Sequence, residues 1–436
     1  MIIRPAKLVR GRLFMPGDKS ISHRAAMIAA LADGASSITN YSSSADCAAT
    51  LSCLAKLGVS IERRGNELLV HGAGANGLRA PAEPLDCANS GTTMRLLAGI
   101  LAGQNFESTL TGDESLCSRP MARIIEPLRM MGASISSNDG HAPLVIKGHK
   151  PLKAINYDLP VASAQVKSCI LLAGLNAEGR TEIIEHEVTR NHTERMLRWF
   201  GVPLEVRRAE GTRAVAVDGP ARLSARDVSV PGDISSAAYF VAAAALLPDS
   251  LLEIAGVGLN PTRVLFLKQL QSLGLNVSPG EVWDEPNEPA GVLRVQGFEA
   301  RHSSGSESMK TLGGSSIPQL IDELPLLAIV GSQIAGGIEI RDAAELRAKE
   351  SDRIANTVEN LRAMGAEVEE FKDGLRVAGS TQLHGATIDP RGDHRIAMAF
   401  SVAGLIAQGE TEIKDPECVA VSFPEFFDLL ESVVER

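Results

Sequence analysis

The chain has 436 residues and a formal net charge of −10, with 44% hydrophobic and 4% aromatic residues. Because single domains seldom exceed about 250–300 residues, this length predicts two or more domains. An acidic chain with few aromatic side chains lacks the basic face and the stacking surfaces that nucleic acids require. A nucleic-acid partner is therefore not expected.

Neither a membrane span nor an export signal is indicated by the sequence. The longest apolar run, at 237–247, is far shorter than the roughly 18 residues that suggest a membrane helix. The N-terminus lacks the continuous apolar stretch of a secretory signal, and the six cysteines form no Cys-x-x-Cys pair. We expect a cytoplasmic protein with reduced thiols and no membrane partner.

One pattern recurs six times along the chain: a polar segment, an Ala- and Leu-rich helix, a glycine or Pro-Asp break, and a short strand. The predicted helices cover 22–31, 91–101, 164–175, 235–247, 322–330 and 394–406. The strands after them cover 36–40, 107–111, 181–185, 251–255, 338–341 and 411–414. A second, amphipathic helix follows each strand, and the last of these, at 424–434, is predicted to have no strand after it.

Two matched segments, MPGD at 15–18 and VPGD at 230–233, each precede an Ala-rich helix and divide the six units into halves. We predict one domain at 18–230 and a second at 1–17 plus 231–436, each with three repeats. Helices that are apolar all round must be buried, which favours an α/β fold with central helices and outer sheets. A doubly wound sheet with outer helices stays open from the periodicity alone. The stretches 281–288 and 300–317 are predicted as surface loops.

Cations and small polar residues gather at the N-terminal ends of the apolar helices, where backbone N–H groups and the helix dipole favour anions. These segments are GDKSISHR (17–24), NSGTTMR (89–95), SAQVK (163–167) and DHR (393–395). Further basic clusters are RPMAR (119–123), TRNH (189–192) and RAKESDR (347–353). Convergent cations in an acidic protein predict a site for small polyanions, which arginine can bind in a bidentate manner.

Carboxylates in the same regions are candidates for proton transfer. Asp322, Glu323 and Glu350 are the best placed, since a carboxylate among cations suits a base. Each could equally be a helix cap or an ion-pair partner.

The GAGANG segment at 72–77 fits a dinucleotide-binding spacing, but Pro81 and Pro84 follow where a helix should begin. The histidine spacings do not fit zinc, and Cys117 could be a nucleophile or a plain thiol.

Seven separated segments resemble, in order, those of the enolpyruvyl transferase family, and the resemblance covers essentially the whole chain. They are PGDKSISHR (16–24), ANSGTTMR (88–95), SRPM (118–121), SAQVK (163–167), TRNHTE (189–194), RAKESDR (347–353) and GDHRIAM (392–398). GDKS, SAQVK, RNHTE and NPTR (260–263) resemble the class II branch, whose members tend to tolerate glyphosate. The resemblance implies a two-domain inside-out α/β barrel of six βαβ-type repeats, three per domain, acting as a monomer without metal or organic cofactor.

The resemblance also implies a reaction of the shikimate pathway, which leads to chorismate and the aromatic amino acids. The enolpyruvyl group of phosphoenolpyruvate would move to the 5-hydroxyl of shikimate 3-phosphate, releasing phosphate through a tetrahedral intermediate. The implied catalytic residues are Lys19, Asp322 and Glu350. The implied contacts to shikimate 3-phosphate are Lys19, Ser20, Arg24, Ser163, Gln165, Arg190, Asp322 and Lys349. The implied contacts to phosphoenolpyruvate are Lys19, Gly91, Arg119, Gln165, Arg353 and Arg395.

Two positions depart from the family pattern. Ala164 stands where many relatives have a second serine, as the class II branch does. Val421 stands about where many relatives have a lysine that contacts phosphoenolpyruvate, so this contact is absent or supplied differently. Two other functions stay open: a UDP-N-acetylglucosamine enolpyruvyl transferase, which typically has Lys-Asn in place of Lys19-Ser20, and a non-catalytic sensor of an anionic metabolite.

Overall fold

A computed structural model describes residues 1–74, 76–209, 211–284, 287–297 and 308–436. The α-helices are α1 (Lys19–Leu31), α2 (Ala45–Lys56), α3 (Gly91–Ala102), α4 (Glu114–Cys117), α5 (Ala122–Met130), α6 (Ala164–Gly174), α7 (His192–Trp199), α8 (Ile234–Leu246), α9 (Leu265–Ser272), α10 (Ile317–Leu320), α11 (Leu324–Gln333), α12 (Arg353–Ala363), α13 (His394–Ile406) and α14 (Phe426–Val433).

The first half of the strands runs as follows: β1 (Ile2–Ile3), β2 (Leu8–Phe14), β3 (Ala32–Thr39), β4 (Ser60–Arg64), β5 (Glu67–Ala73), β6 (Leu85–Asp86), β7 (Glu107–Thr111), β8 (Ser134–Asn138), β9 (His141–Lys147), β10 (Leu152–Lys153), β11 (Asn156–Asp158), β12 (Ala177–Glu185) and β13 (Leu204–Ala209). The second half comprises β14 (Thr212–Gly219), β15 (Leu223–Ser224), β16 (Val228–Ser229), β17 (Leu251–Gly258), β18 (Asn276–Asp284), β19 (Pro289–Gln296), β20 (Lys310–Leu312), β21 (Ile338–Ile340), β22 (Val368–Phe371), β23 (Gly374–Val377), β24 (Thr387–Ile388), β25 (Thr411–Ile413) and β26 (Val434–Glu435).

The chain forms two compact units. The inserted unit comprises Gly17–Val230 and, from the segment Glu285–Glu288, the described residues Asn287 and Glu288. The terminal unit comprises Met1–Pro16, Pro231–Asp284 and Pro289–Arg436. Each unit contains three of the six sheets that the described residues form.

Three buried helices, α1, α3 and α6, form the centre of the inserted unit. All but one of the twelve residues of α3 are buried, because the helix is apolar on every side. The sheets around these helices are β15-β3-β5-β4, β6-β7-β9-β8 and β10-β12-β14-β13, with β16 beside β3 and β11 beside β12. Strand β7 pairs in parallel with β6 and antiparallel with β9, so each sheet combines a βαβ crossover with a hairpin.

The terminal unit repeats this arrangement with α8, α11 and α13 at its centre. All ten residues of α11 are buried. The sheets of this unit are β1-β25-β24, β18-β19-β17-β2-β26 and β20-β21-β23-β22. An aromatic cluster joins α8 to the C-terminal region, where the rings of Phe240 and Phe426 lie edge to face with centroids 5.7 Å apart.

The predicted two-domain α/β fold with central helices is confirmed. In the described residues the sheets are open, so "inside-out" refers to the order of the layers rather than to a closed barrel. One detail was wrong: β26 follows α14 and pairs antiparallel with β2, because the chain end completes the edge of that sheet. Within the described ranges, no helix combines the length and the apolar character needed to cross a bilayer.

The predicted loop at 281–288 was also wrong in its first half. Strand β18 continues to Asp284 in register with β19, and Asn287 and Glu288 are buried polar residues. Residues 285 and 286 lie outside the described residues, as do 298–307, which include most of the first half of the predicted loop at 300–317. Ala75, inside the segment at 72–77, also lies outside them.

The close approach of α3 to α6 predicts that a side chain at Gly99 lowers the free energy of unfolding. A Cβ atom at Gly99 would lie 2.2 Å from the carbonyl oxygen of Cys169, which is backbone and cannot rotate away. We expect Gly99→Ala to destabilise the protein by about 1–3 kcal/mol, even after the gain in helix propensity. Urea unfolding followed by circular dichroism measures the change.

The matched control is Gly404→Ala in α13. There the added Cβ would lie 3.0 Å from Cγ2 of Ile3 and 3.1 Å from the Cβ atoms of Ile3 and Thr411, a much smaller overlap than at Gly99 and one with side-chain atoms rather than backbone. We expect a change within about 1 kcal/mol, because helix propensity offsets the crowding. Equal destabilisation by the two substitutions would contradict the role given to the α3–α6 backbone contact.

Candidate active site

Eight of the predicted site residues belong to the inserted unit and are here called the inserted-unit cluster. They are Lys19, Ser20, Arg24, Gly91, Arg119, Ser163, Gln165 and Arg190. Most lie in the first two turns of α1, α3 and α6 or just before them. The side chains of Asp18, Ser90 and Ser163 cap these helices by accepting hydrogen bonds from backbone N–H groups of the first turn.

Lys19 is held at the start of α1 by a carboxylate. Its Nζ lies 2.9 Å from Oδ2 of Asp46, in the first turn of α2, and its side chain is 16% exposed. Asp46 was not among the predicted residues, and its negative charge directs the ammonium group while leaving part of it open to solvent. A positioned ammonium group of this kind can bind an anion or donate a proton.

Arg24 is almost fully buried and joins three helices. Its Nε donates to Oγ1 of Thr193 at 2.7 Å, and its Nη2 donates to Oγ of Ser168 at 2.9 Å. Its Nη1 donates to the carbonyl of Ser20 at 2.8 Å, which fixes the first turn of α1. Burial lowers the pKa of Arg24 to about 10 against the opposing charges of Glu194 and Asp18, and the nearby charge of Arg190 acts in the same direction as burial. A second cation beside a buried guanidinium favours the binding of an anion.

Gly91 lies where two guanidinium groups approach the start of α3. A Cβ atom at this position would lie 2.7 Å from Nη1 of Arg95 and 3.6 Å from Nη1 of Arg119. Arg119 itself donates to the side-chain oxygen of Asn89 at 2.7 Å. The glycine therefore leaves room that any side chain would take from a ligand of these arginines.

Gln165 is oriented by partners on α3. Its Oε1 accepts from Nη1 of Arg95 at 2.7 Å, and its Nε2 donates to Oγ1 of Thr92 at 3.0 Å. Arg95 was missed as a site residue, although it lies inside the ANSGTTMR segment. The signal was available, since a buried arginine at the polar end of an apolar helix requires a polar partner.

A chain of hydroxyl groups connects α1, α2 and α3 behind these residues. Nδ1 of His23 lies 2.6 Å from Oγ1 of Thr50, which lies 2.6 Å from Oγ1 of Thr93. Thr93 in turn donates to Oγ of Ser90, the cap of α3, at 2.8 Å. Burial, with the charges of Lys19 and Arg24, lowers the pKa of His23 well below its ordinary value. The neutral imidazole thus belongs to the packing of the three helix starts.

The other five predicted residues lie in the terminal unit and form the terminal-unit cluster: Asp322, Lys349, Glu350, Arg353 and Arg395. Oδ1 of Asp322 lies 3.3 Å from Nε of Arg395 and 3.6 Å from Nη1 of Arg353. Its side chain is 16% exposed. A carboxylate between two guanidinium groups stays ionised, and its open edge can accept a proton from a ligand.

Arg353 is the centre of this cluster. Its Nε lies 2.8 Å from Oδ2 of the buried Asp393, and its Nη2 lies 2.5 Å from Oε2 of Glu350. Burial by itself lowers the pKa of Arg353, but the carboxylates of Asp393 and Glu350 raise it above the ordinary value. Asp393, missed as a site residue, also caps α13 by accepting from the N–H of Arg395 at 2.9 Å.

Lys349 and Arg395 complete the cluster. Nζ of Lys349 lies 3.1 Å from Oε1 of Glu345, and burial lowers the pKa of this lysine. Burial also opposes the charge of Arg395, yet Asp322 and Tyr239 together raise its pKa. Val421 ends a short 3-10 helix at Pro416–Val421, where it supplies no cation. The terminal-unit cluster therefore combines fixed cations with carboxylates, and the inserted-unit cluster combines fixed cations with polar side chains.

Two α/β units whose buried helices carry cations and carboxylates at their N-terminal ends define a class of protein that binds small polyanions and can transfer protons. Residues 3–430 match the EPSP synthase (3-phosphoshikimate 1-carboxyvinyltransferase) family. The chain belongs to this family.

Relatives and solved structures agree with the match. The chain is 51% identical over 434 residues to a 3-phosphoshikimate 1-carboxyvinyltransferase of Koribacter versatilis, covering 100% of this chain and 99% of the relative. A relative of the same name from Desulforamulus reducens is 48% identical over 437 residues, with the same coverage. The structure of EPSP synthase from Acinetobacter baumannii at 2.37 Å has a TM-score of 0.84 and 40% identity, over 99% of this chain and 97% of that one.

The buried His23 predicts a pH dependence of stability. Its folded pKa is below the unfolded value, so the folded state favours the neutral ring. The stability that this pKa difference contributes is complete above the unfolded pKa of about 6.5 and is lost as pH falls below it. In that range the free energy of unfolding falls by about 1.4 kcal/mol per pH unit. We expect His23→Gln to have a shallower slope than the wild type between about pH 6.5 and 5.

Urea unfolding at a series of pH values measures these slopes. His71→Gln, at an exposed position on β5, is the matched control and should keep the wild-type slope. A His23→Gln slope equal to that of the wild type would mean that the ring can take up a proton in the folded protein without cost.

Proposed function

We propose that this chain transfers the enolpyruvyl group of phosphoenolpyruvate to the 5-hydroxyl of shikimate 3-phosphate and releases phosphate. This is a step of the shikimate pathway. The observation that carries the proposal is the terminal-unit cluster, in which the carboxylate of Asp322 lies between Arg353 and Arg395. Family membership over residues 3–430 supports the choice of substrates.

The reaction starts with an addition. Asp322 takes the proton of the 5-hydroxyl as the oxygen of that group bonds to the central carbon of phosphoenolpyruvate. Glu350 enters the reaction protonated and donates this proton to the methylene carbon, which becomes a methyl group, while the ammonium group of Lys19 assists the donation. The product of this step is a tetrahedral intermediate that still carries its phosphate. The arginines stabilise the anionic groups of both substrates as charge develops.

An elimination completes the transfer. The methyl group loses a proton, the carbon–oxygen bond to phosphate breaks, and the double bond forms again, now attached to the shikimate oxygen. Glu350 receives this proton, and Asp322 passes the hydroxyl proton to the departing phosphate, so each group returns to its starting state. Because Glu350 lies 2.5 Å from Arg353, the same carboxylate stays ionised between these two events.

The binding roles follow the family pattern. We assign shikimate 3-phosphate to Lys19, Ser20, Arg24, Ser163, Gln165, Arg190, Asp322 and Lys349. We assign phosphoenolpyruvate to Lys19, Gly91, Arg119, Gln165, Arg353 and Arg395. The hydrogen bond between Gln165 and Arg95 supports a polar role for Gln165, and the open space at Gly91 supports close contact with a ligand.

We further propose that the two domains are 18–230 and 1–17 plus 231–436, and that the protein acts as a cytoplasmic monomer. The compact unit at Gly17–Val230 supports the domain boundaries. Sedimentation equilibrium checks the monomer, for which a mass of 46.1 kDa is expected.

Release of phosphate from phosphoenolpyruvate tests the function. We expect release that depends on shikimate 3-phosphate and does not occur with UDP-N-acetylglucosamine. In Asp322→Asn the rate should fall by about 100-fold or more, since a general base contributes about 10²–10⁴-fold. Asp428→Asn, at an exposed position of α14, is the control and should keep the wild-type rate.

Three other outcomes are distinct. Release only with the nucleotide sugar would identify the other transferase of this fold. Binding of both ligands without any release would identify a sensor. Full activity of Asp322→Asn would remove this residue from the role of base while leaving the overall reaction in place.

Gly91→Ala tests the phosphoenolpyruvate contacts. The new methyl group would meet Arg95 and Arg119, so we expect KM for phosphoenolpyruvate to rise about tenfold or more, corresponding to about 1.4 kcal/mol. Inhibition by glyphosate should weaken as well. KM for shikimate 3-phosphate should change less than about twofold, and Gly404→Ala should leave all three constants unchanged. Equal losses for both substrates would indicate a general distortion of α3 instead.

A further inference from the structure

Four charged side chains in the inserted unit are buried together and have no role in the proposed reaction. They are Lys167 of α6, Glu185 of β12, Glu194 of α7 and Arg213 of β14, here called the buried quartet. The side chains of the lysine and the two glutamates are 0% exposed, and that of the arginine is 8% exposed.

Each cation of the quartet contacts both of its glutamates. Nζ of Lys167 lies 2.9 Å from Oε1 of Glu185 and 2.9 Å from Oε1 of Glu194. Nη1 of Arg213 contacts Oε2 of Glu185 and lies 3.2 Å from Oε1 of Glu194. Two cations thus balance two carboxylates, and four elements of the unit meet at this point.

Stability alone does not account for this arrangement. Burying charges costs free energy that their mutual attraction often fails to recover, and apolar side chains of similar volume are usually at least as stable. Burial raises the pKa of Glu194, but the charge and hydrogen bond of Lys167, the charge of Arg213 and a backbone hydrogen bond bring it below the ordinary value. Among the described residues, nothing donates a hydrogen bond to Oε2 of Glu194. A buried network of charges of this kind is better suited to holding the elements that carry it in one fixed arrangement.

The neighbours of Lys167 and Glu194 along the chain hold Arg24. Ser168 accepts from Nη2 of Arg24 at 2.9 Å, and Thr193 accepts from Nε at 2.7 Å. The two hydroxyl groups also contact each other at 2.7 Å. Any shift of α6 against α7 at the quartet would therefore move both hydrogen-bond partners of the Arg24 guanidinium.

Glu185 holds the segment that leads to Arg190. Its Oε1 accepts from the N–H of Thr189 at 3.2 Å and from Oγ1 of Thr189 at 2.6 Å. Thr189 is buried and immediately precedes Arg190 in the chain. One carboxylate of the quartet thus fixes the backbone from which the second arginine extends.

We infer that the buried quartet is a positioning device that sets Arg24 and Arg190 in the geometry required to grip shikimate 3-phosphate. Lys167 and Glu194 are the last residues of the SAQVK and RNHTE segments. Their role in positioning the two arginines explains why they stand next to residues that contact substrate. The inference rests on the proposed function. Its residues are positioning residues, because each acts through an arginine.

A charge-balanced double substitution is the main test. Lys167→Met with Glu194→Gln removes one cation and one carboxylate and leaves Arg213 paired with Glu185. We expect both KM and the calorimetric Kd for shikimate 3-phosphate to rise about tenfold or more, because small displacements of binding groups are costly. The kcat at saturation and KM for phosphoenolpyruvate should change less than about threefold.

The control is Arg180→Met with Glu205→Gln. These residues form an exposed ion pair at 2.6 Å in the same sheet, and their loss should change none of the constants. Thr189→Val is a second, milder variant that keeps the quartet whole and removes only the Oγ1 hydrogen bond. It should raise KM for shikimate 3-phosphate about threefold or more, and it keeps the inference testable if the double variant fails to fold.

The outcomes separate the inference from the proposed function. A wild-type protein that neither binds nor converts shikimate 3-phosphate would overturn the function. A wild-type protein that converts it, with variants that lose thermal stability but keep the same KM and Kd, would overturn the inference alone. A fall in kcat together with equal rises in both KM values would also overturn the inference, since a role in positioning the groups that bind one substrate predicts an effect on that substrate alone.

Discussion

The constraint on which the structure depends is the burial of three apolar helices at the centre of each unit. Such helices can place polar groups only at their ends, because their sides are covered by sheets and by each other. Helix N-termini favour anions, and polar caps such as Ser90 and Asp393 fix their first turns. A site for polyanionic substrates is therefore a consequence of the packing, and the side chains refine it.

The second constraint is charge balance inside a low-dielectric interior. Each buried cation has a specified partner: Arg353 has Asp393, and Arg24 has the hydroxyl groups of Ser168 and Thr193. The partners keep the cations in place before any substrate arrives, so less free energy is lost on binding. The same guanidinium groups flank Asp322, and neighbouring cations favour the charged form that a base requires. Binding and proton transfer thus depend on one set of electrostatic contacts.

Much of this could be predicted from the sequence, because it depends on local pattern. The six apolar helices and the strands after them were found from periodicity, and the observed α13 has the predicted limits 394–406. The placement of cations at helix starts also followed from motifs. The first half of the loop predicted at 281–288 was wrong, because pairing with β19 overrides the local turn signals. Edge pairing of this kind is set by the neighbouring strand and has no local signature.

The parts that could not be predicted are contacts between residues far apart in the chain. Lys167 was grouped with the cations at the helix starts, and Arg213 has no local signal, yet both are buried against Glu185 and Glu194. The spacing of a motif shows which helix face a residue shares, but not which element packs on that face. For Arg95 the motif indicated a polar partner but could not identify it, since that partner, Gln165, lies 70 residues away. A motif therefore predicts the groups that touch substrate more reliably than the groups that position them, because only the first are defined by local chemistry.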